Sequence, residues 1–250
     1  SNLSNLEISN FFKSLKEKNQ SSYLIEISSE IVKKKANNGY LIDNIKPVAN
    51  NKGTGKLTVE TSLEYNFPLP SIYEAFNARV ESHFQKIWPK VTRSKNLNVD
   101  LNKIENTIYF ARLSTLIQGI LFIEHFSNKE SLEIKIPEVL QNWLSGCIIR
   151  SDLLKDIKEI YEEISTDSPI VEIEEIQNQL EEKLDDIKTT INKSVESQIA
   201  LPVIYSSYNW YINSSNNFNP SSLIQAQRDF FGAHMVQLLN EDEFIHLDWV

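Results

Sequence analysis

Glycine and cysteine are scarce in this chain of 250 residues, and each shortage excludes a class of protein. Of the 6 glycines, only Gly53 and Gly55 lie close together. They complete neither the Gly-x-Gly-x-x-Gly spacing that a Rossmann unit needs at a dinucleotide pyrophosphate nor the spacing of a P-loop. The single cysteine, Cys147, excludes an internal disulfide framework and is typical of a reducing compartment. We therefore expect a cytoplasmic protein in which this chain carries no nucleotide site.

Long apolar runs and an excess of cations are also missing. The most apolar stretch, 116–123, ends at Glu124 and is too short to span a bilayer. The first residues have neither the basic head nor the apolar stretch of a signal peptide. The net charge of −9 argues against nucleic-acid binding, because a phosphate backbone needs clustered cations. We expect neither a membrane nor a nucleic acid as a partner.

Methionine occurs once, at Met235, so the chain does not open with the residue that begins a reading frame. Its first two residues, Ser1-Asn2, instead look like the remnant of a cleaved expression tag. This pattern predicts a piece cut from a longer protein.

Apolar residues recur at helical spacing almost throughout, which predicts a single all-α domain over residues 1–250. Asp100 is a suitable N-cap for a long central helix from Leu101 to Phe126. The tail at 243–250 differs, because its apolar residues alternate as they do in a strand. The expected fold is therefore a helical domain with a short extended tail.

Two further helices are predicted in the second half of the chain. Ser151 can cap a helix that runs through Glu162. A long helix is then predicted from Val171 to Ser197, with its acidic residues on the solvent side.

Hydrogen-bond donors and glycines are concentrated at residues 51–58. The glycines permit a tight turn in which the backbone approaches a ligand, and residues 58–64 begin a helix whose free amides attract anions. Lys52 offers a positive charge and Thr54 a hydroxyl. The other interpretation, a solvated turn before a helix, is the commoner one for an isolated pentapeptide of this kind.

Arg79 lies on a predicted helix that follows this segment. A guanidinium holds two phosphate oxygens at once and keeps its charge at every physiological pH. The alternative is an ordinary surface arginine.

A third group of donors lies near the end of the chain, in the segment 225–234. Arg228 and His234 are six residues apart, which is more than one and a half helical turns. They share a face only if the helix ends near Gly232. The alternative pairs Arg228 with Asp229 and leaves His234 as a surface imidazole.

The segments 51–79 and 223–234 resemble the substrate-binding half of 6-phosphogluconate dehydrogenase, the NADP-dependent decarboxylating enzyme of the pentose phosphate pathway. The resemblance runs from about Leu6 to Trp249 and includes the segment 145–151. It departs from the family at Leu144-Ser145, where that segment begins. The resemblance implies an all-helical C-terminal domain that binds 6-phosphogluconate, and it implies that five side chains contact this substrate: Lys52, Thr54, Arg79, Arg228 and His234.

The same resemblance implies that each substrate site contains residues of two subunits. Lys52, Thr54, Arg79 and Arg228 would hold the phosphate, and His234 would contact the sugar. Arg228 and His234 would do so in the partner subunit's site, so a homodimer is expected.

The catalytic helix of the family is not found in this sequence. That helix carries a lysine base, a glutamate acid and a histidine-asparagine pair, whereas none of the four histidines here precedes an asparagine. No catalytic residue is therefore assigned to this chain, and no His/Cys/Asp/Glu set has metal-ligand spacing. NADP is expected in the full-length enzyme and not on this fragment, which we expect to be inactive alone.

Three other interpretations stay open. A non-catalytic helical oligomerisation module would explain the helices and the missing cofactor site, but not the clustered donors. A related β-hydroxyacid dehydrogenase would share a helical second domain, although those chains are generally shorter there. A pseudoenzyme that has lost its catalytic lysine and glutamate is the third.

Overall fold

The computed structural model describes residues 3–84, 96–164, 168–216 and 219–249. Within these ranges the chain is all-α apart from one antiparallel two-stranded sheet, which confirms the predicted fold class. The predicted tag remnant at residues 1 and 2 lies outside the described residues, as does residue 250 of the predicted tail. The elements are α1 (Asn5–Glu17), α2 (Tyr23–Lys33), α3 (Thr54–Glu64), α4 (Pro70–Glu81), α5 (Leu101–Lys129), α6 (Ile136–Leu144), α7 (Asp152–Ile164), α8 (Glu174–Glu181), α9 (Leu184–Glu196), α10 (Pro202–Ser215), α11 (Ser221–Gly232), β1 (Val236–Gln237) and β2 (Phe244–Ile245), with 3-10 turns at Leu41–Asn44, Ser82–Phe84 and Ile170–Glu172.

Helix α5 is the longest element and supplies much of the core. Asp100 caps it as predicted, because its Oδ1 accepts the N–H of Asn102 at 2.7 Å. The side chains of Phe110 and Leu113 have no exposed surface. The helix continues past the predicted end at Phe126 to Lys129. No helix in the described ranges, α5 included, is long and apolar enough to cross a membrane.

Helix α7 begins after Ser151, as predicted. Ser151 Oγ accepts the N–H of Leu154 at 3.3 Å, which satisfies one of the donors left free at a helix start. Leu153 and Leu154 are buried directly behind this cap. The helix ends at Ile164, two residues beyond the predicted end at Glu162.

The predicted single helix from Val171 to Ser197 is wrong, because a turn at Glu182-Lys183 separates α8 from α9. A continuous helix would place carboxylates four residues apart on both sides of that turn, and like charges at this spacing destabilise a helix. The break instead puts Asp185 and Asp186 in the first turn of α9, where carboxylates are favourable. Asp186 Oδ1 also accepts Lys103 Nζ of α5 at 2.8 Å, which holds α9 on the central helix.

The Cα positions divide the chain into two compact units, Ser1–Tyr208 and Asn209–Val250. The first contains α1 to α9, and the second contains α11 and both strands. Strand structure in the tail is found at Phe244–Ile245, where Phe244 pairs with Gln237 and Ile245 with Val236. That the chain forms a single domain stays a prediction.

Candidate substrate-binding site

Lys52 and Thr54 lie at the start of α3, on either side of Gly53. Gly53 is the N-cap residue with φ of 100°, in the left-handed region that favours glycine. The helix begins at Thr54, ahead of the predicted residue 58, because Leu57 N–H already donates to Gly53 O at 2.8 Å. The N–H groups before Leu57 have no acceptor within the helix, so this end attracts anions.

The segment before Lys52 is hydrogen-bonded to residues at the C-terminal end of α4. Ala49 N–H donates to Ser82 Oγ at 2.9 Å, and Ala49 O lies 3.2 Å from His83 Nε2. Ser82 Oγ in turn donates to the carbonyl of Arg79 at 2.6 Å. These bonds hold the approach to Lys52 against the last turn of the helix that carries Arg79.

The segment after Lys52 also faces α4. A Cβ at Gly55 would lie 3.9 Å from Cδ2 of Phe76, one helical turn before Arg79. The side chains of Lys52, Thr54 and Arg79 are all exposed. Neither cation forms an ion pair with any residue that the structure describes, so both charges are available to a ligand. The structure thus places Thr54 on α3, Arg79 on the adjoining α4, and Lys52 two residues before α3 begins.

Arg228 and His234 lie in the second unit, at the C-terminal end of α11. The helix ends at Gly232 as expected, and Ala233 adopts the left-handed conformation with φ of 51°. A Cβ at Gly232 would come within 2.9 Å of His234 Cδ2 and Nε2. The absence of a side chain at Gly232 therefore lets the imidazole lie against the helix end.

Gln225 connects these two predicted residues. Arg228 Nη1 donates to Gln225 Oε1 at 3.0 Å. Gln225 Nε2 donates to the carbonyl of His234 at 3.3 Å and to that of Met235. The alternative pairing of Arg228 with Asp229 is not found, because Arg228 bonds to Gln225 instead.

The carboxylate of Asp229 is fully buried and organises the chain beyond His234. Burial alone raises the pKa of this carboxyl, but hydrogen bonds outweigh that effect and hold the pKa well below its ordinary range. The four donors are Leu247 N–H at 3.0 Å, His246 Nδ1 at 3.0 Å, Trp249 Nε1 at 2.8 Å and Met235 N–H at 2.7 Å.

The sequence analysis did not predict the three side chains that support the candidate residues through hydrogen bonds: Ser82, Gln225 and Asp229. Gln225 lies three and four residues before Arg228 and Asp229, and that spacing predicts a shared helix face. No sequence pattern marks Ser82. Within the described ranges, no group of three His, Cys, Asp or Glu side chains could hold a metal ion.

Residues 1–249 match the family model of the 6-phosphogluconate dehydrogenase C-terminal domain. The chain belongs to this family. The match confirms the resemblance carried by the segments 51–79 and 223–234, and it places the chain in an enzyme family of dehydrogenases.

Curated relatives include two decarboxylating 6-phosphogluconate dehydrogenases, from Lactococcus lactis subsp. lactis and from Synechocystis sp. The first is 31% identical over 258 residues, covering 99% of this chain and 55% of the relative. The second is 31% identical over 242 residues, covering 92% of this chain and 50% of the relative. The chain therefore spans about half the length of these 6-phosphogluconate dehydrogenases.

A similar solved structure is the 6-phosphogluconate dehydrogenase of Plasmodium falciparum, determined in its apo form and in complex with its cofactor NADP+ and its substrate 6-phosphogluconate. The TM-score is 0.87 at 27% identity, over 99% of this chain and 56% of that one. The helical domain described above is therefore the fold of this family's C-terminal region.

Proposed function

We propose that this chain is the substrate-binding and dimerisation domain of an NADP-dependent, decarboxylating 6-phosphogluconate dehydrogenase. Such an enzyme oxidises 6-phosphogluconate at C3 with NADP+ as the hydride acceptor. The resulting 3-keto acid loses CO2, and protonation of the enediol that remains gives ribulose 5-phosphate. The observation that carries the proposal is the pair of hydrogen bonds from the backbone of Ala49 to Ser82 and His83. They hold the segment before Lys52 against the end of the helix that carries Arg79. A cytoplasmic location stays a prediction.

The role of the domain in this reaction is to hold the end of the substrate remote from the chemistry. Lys52, Arg79 and the free amides at the start of α3 suit a phosphate dianion, and Thr54 adds a hydroxyl donor. Arg228 of the partner subunit supplies a third cation, and His234 of the partner subunit contacts the sugar. Fixing the phosphate in this way orients C3 for hydride transfer.

The residues of this chain do not fit a dinucleotide. Gly53 and Gly55 open a helix, and no strand precedes that helix in the described ranges, as a pyrophosphate site would require. In the proposed enzyme NADP binds outside this chain. The catalytic base and acid also lie outside it, because the sequence lacks the family's histidine-asparagine pair. We expect the chain alone to give no NADP reduction with 6-phosphogluconate, even at high protein concentration.

The phosphate site is tested in the full-length protein with two substrates, 6-phosphogluconate and gluconate. Arg79→Ala should raise the KM for 6-phosphogluconate more than about tenfold, since a bond to a charged group contributes about 1.5–3 kcal/mol. It should barely alter the slow reaction of gluconate, which has no phosphate. Lys188→Ala, which removes one exposed cation from α9, is the matched control. An equal effect on both substrates would contradict the proposal, and a full-length protein without turnover would support a pseudoenzyme.

The trans arrangement is tested by combining two variants that bind 6-phosphogluconate weakly, Arg79→Ala and Arg228→Ala, in one dimer, with activity measured at a substrate concentration well below the KM of either variant. If each site takes Arg79 from one subunit and Arg228 from the other, a mixed dimer has one doubly defective site and one intact site. Activity should then return on co-expression of the two variants. Activity that stays at the level of the single variants would place both arginines in the same subunit's site.

A further inference from the structure

Gln225 forms hydrogen bonds with both Arg228 and His234, the two residues proposed to reach the partner subunit's site. Its Oε1 accepts from the guanidinium of Arg228, and its Nε2 donates to the carbonyls of His234 and Met235. These bonds all lie within the second unit. One planar amide therefore couples the side chain of one candidate residue to the backbone of the other.

The turn that Gln225 holds is a strained one. The residues on either side of His234 are both left-handed and neither is glycine, since φ is 51° at Ala233 and 61° at Met235. Such a conformation persists only where the surroundings determine it. Here Asp229 Oδ1 accepts the N–H of Met235 at 2.7 Å, and Gln225 binds the adjoining carbonyls.

Only a side-chain amide meets both demands at this position. The two carbonyls accept and cannot donate, so the group that faces them must be an N–H. The guanidinium donates and cannot accept, so the group that faces it must be an oxygen. Glutamate would satisfy Arg228 but repel the carbonyls, and methionine would satisfy neither.

We propose that Gln225 is a positioning residue that sets Arg228 and His234 in a fixed relation before they reach the substrate. This inference rests on the proposed function. It adds that the phosphate contact and the sugar contact are coupled through one amide, so that disturbing the amide weakens both.

The test uses the full-length protein and three variants, Gln225→Met, Gln225→Glu and Gln227→Met. Gln227 is the matched control, because it is exposed on the same helix and its side chain forms no hydrogen bond in the described ranges. Gln225→Met should raise the KM for 6-phosphogluconate about tenfold, the effect of losing hydrogen bonds of ordinary strength. The KM for NADP+ should stay at the parental value, a separation that a general loss of structure would not produce. Gln225→Glu should also raise the KM for 6-phosphogluconate, because the new charge binds Arg228 in competition with phosphate.

Hydrogen exchange of the segment 232–237 gives a readout that does not depend on turnover. Exchange there should be faster in Gln225→Met and Gln225→Glu than in Gln227→Met. If Arg228→Ala raises the KM for 6-phosphogluconate and Gln225→Met does not, the positioning role is wrong while the proposed function stands. If Arg228→Ala has no effect on that KM, the proposed function fails at this residue. Unchanged exchange in Gln225→Met would overturn the inference in either case.

Discussion

Trp249, near the end of the chain, donates its indole N–H to Oδ2 of Asp229 at 2.8 Å, twenty residues earlier in sequence. The same oxygen accepts the N–H of Leu247 at 3.0 Å. Because Asp229 is adjacent to Arg228 and also binds the N–H of Met235, it ties the tail to the helix end that carries the candidate site. The extended tail is thus part of the site's support.

Replacing this carboxylate should release the tail. In Asp229→Asn, an amide N–H would face the N–H donors at one oxygen position, so some of these bonds cannot form. We expect hydrogen exchange at Met235 and Leu247 to become faster by about tenfold or more. Asp242→Asn, which alters an exposed carboxylate of the same unit, is the control. Exchange that is equal in the two variants would contradict the role of Asp229.

The protection of the tail amides from hydrogen exchange should also depend on pH, and it should be lost on the acid side. The hydrogen bonds hold the pKa of Asp229 below its ordinary value of 3.8, so the folded state binds this proton less readily than the unfolded state does. The stabilisation is therefore complete above about pH 4 and is lost as pH falls through the lower, folded-state pKa. Exchange at Leu247, corrected for the intrinsic rate, should reveal this loss only at acid pH. Loss already near neutral pH, where histidines titrate, would contradict it.

A buried network of hydrogen bonds joins α4 to α5 and should contribute to stability. Gln118, fully buried on α5, accepts the N–H of Ser71 at 3.0 Å and donates to Ser71 Oγ at 2.8 Å. Gln118→Leu leaves the buried N–H of Ser71 without its acceptor, while Ser71 Oγ keeps its bond to Ser207 Oγ at 3.0 Å. The unsatisfied N–H should lower the free energy of unfolding by about 1–3 kcal/mol. Urea unfolding measures the change, with exposed Gln141→Leu as the control. An equal unfolding free energy in both variants would show that the network contributes nothing.

The hydroxyl of Ser82 should matter to the proposed phosphate site, because it accepts the N–H of Ala49 in the segment before Lys52. Ser82→Ala removes that bond and should raise the KM for 6-phosphogluconate about five- to tenfold in the full-length protein. Ser28→Ala is the control, since Ser28 Oγ also donates to a backbone carbonyl of its own helix but lies on α2. A parental KM in Ser82→Ala would indicate that this bond does not position Lys52.

Local sequence predicted the helices that depend on local causes. The caps of Asp100 and Ser151 could be read from the chain, because an N-cap bonds within its own first turn. The break at Glu182-Lys183 could not, since the apolar spacing continues through it. It depends on charge repulsion along the helix and on the contact of Asp186 with Lys103 of α5.

The candidate site also has a part that could be predicted from the sequence and a part that could not. The resemblance identified Lys52, Thr54, Arg79, Arg228 and His234, and their roles stay predictions. The bond of Gln225 to Arg228 follows from helical spacing. The bonds of Gln225 to the carbonyls of residues 234 and 235, and those of Asp229, could not be predicted, because their partners lie beyond the end of the helix. The left-handed backbone at Ala233 and Met235 decides which groups meet there, and neither residue type favours that conformation.

Gly232 offers a way to move His234 without unfolding the domain. A Cβ at Gly232 would lie 2.9 Å from the imidazole, so Gly232→Ala must displace the ring. The backbone at Gly232 is not among the left-handed glycines, and alanine favours a helix, so stability should not fall. We expect the KM for 6-phosphogluconate to rise several-fold, by roughly the effect of one hydrogen bond. Gly119→Ala on α5, where a Cβ would meet nothing within 4 Å, is the control and should keep the parental KM. A parental KM in Gly232→Ala with an unchanged melting temperature would mean that the position of the His234 ring does not matter for substrate binding.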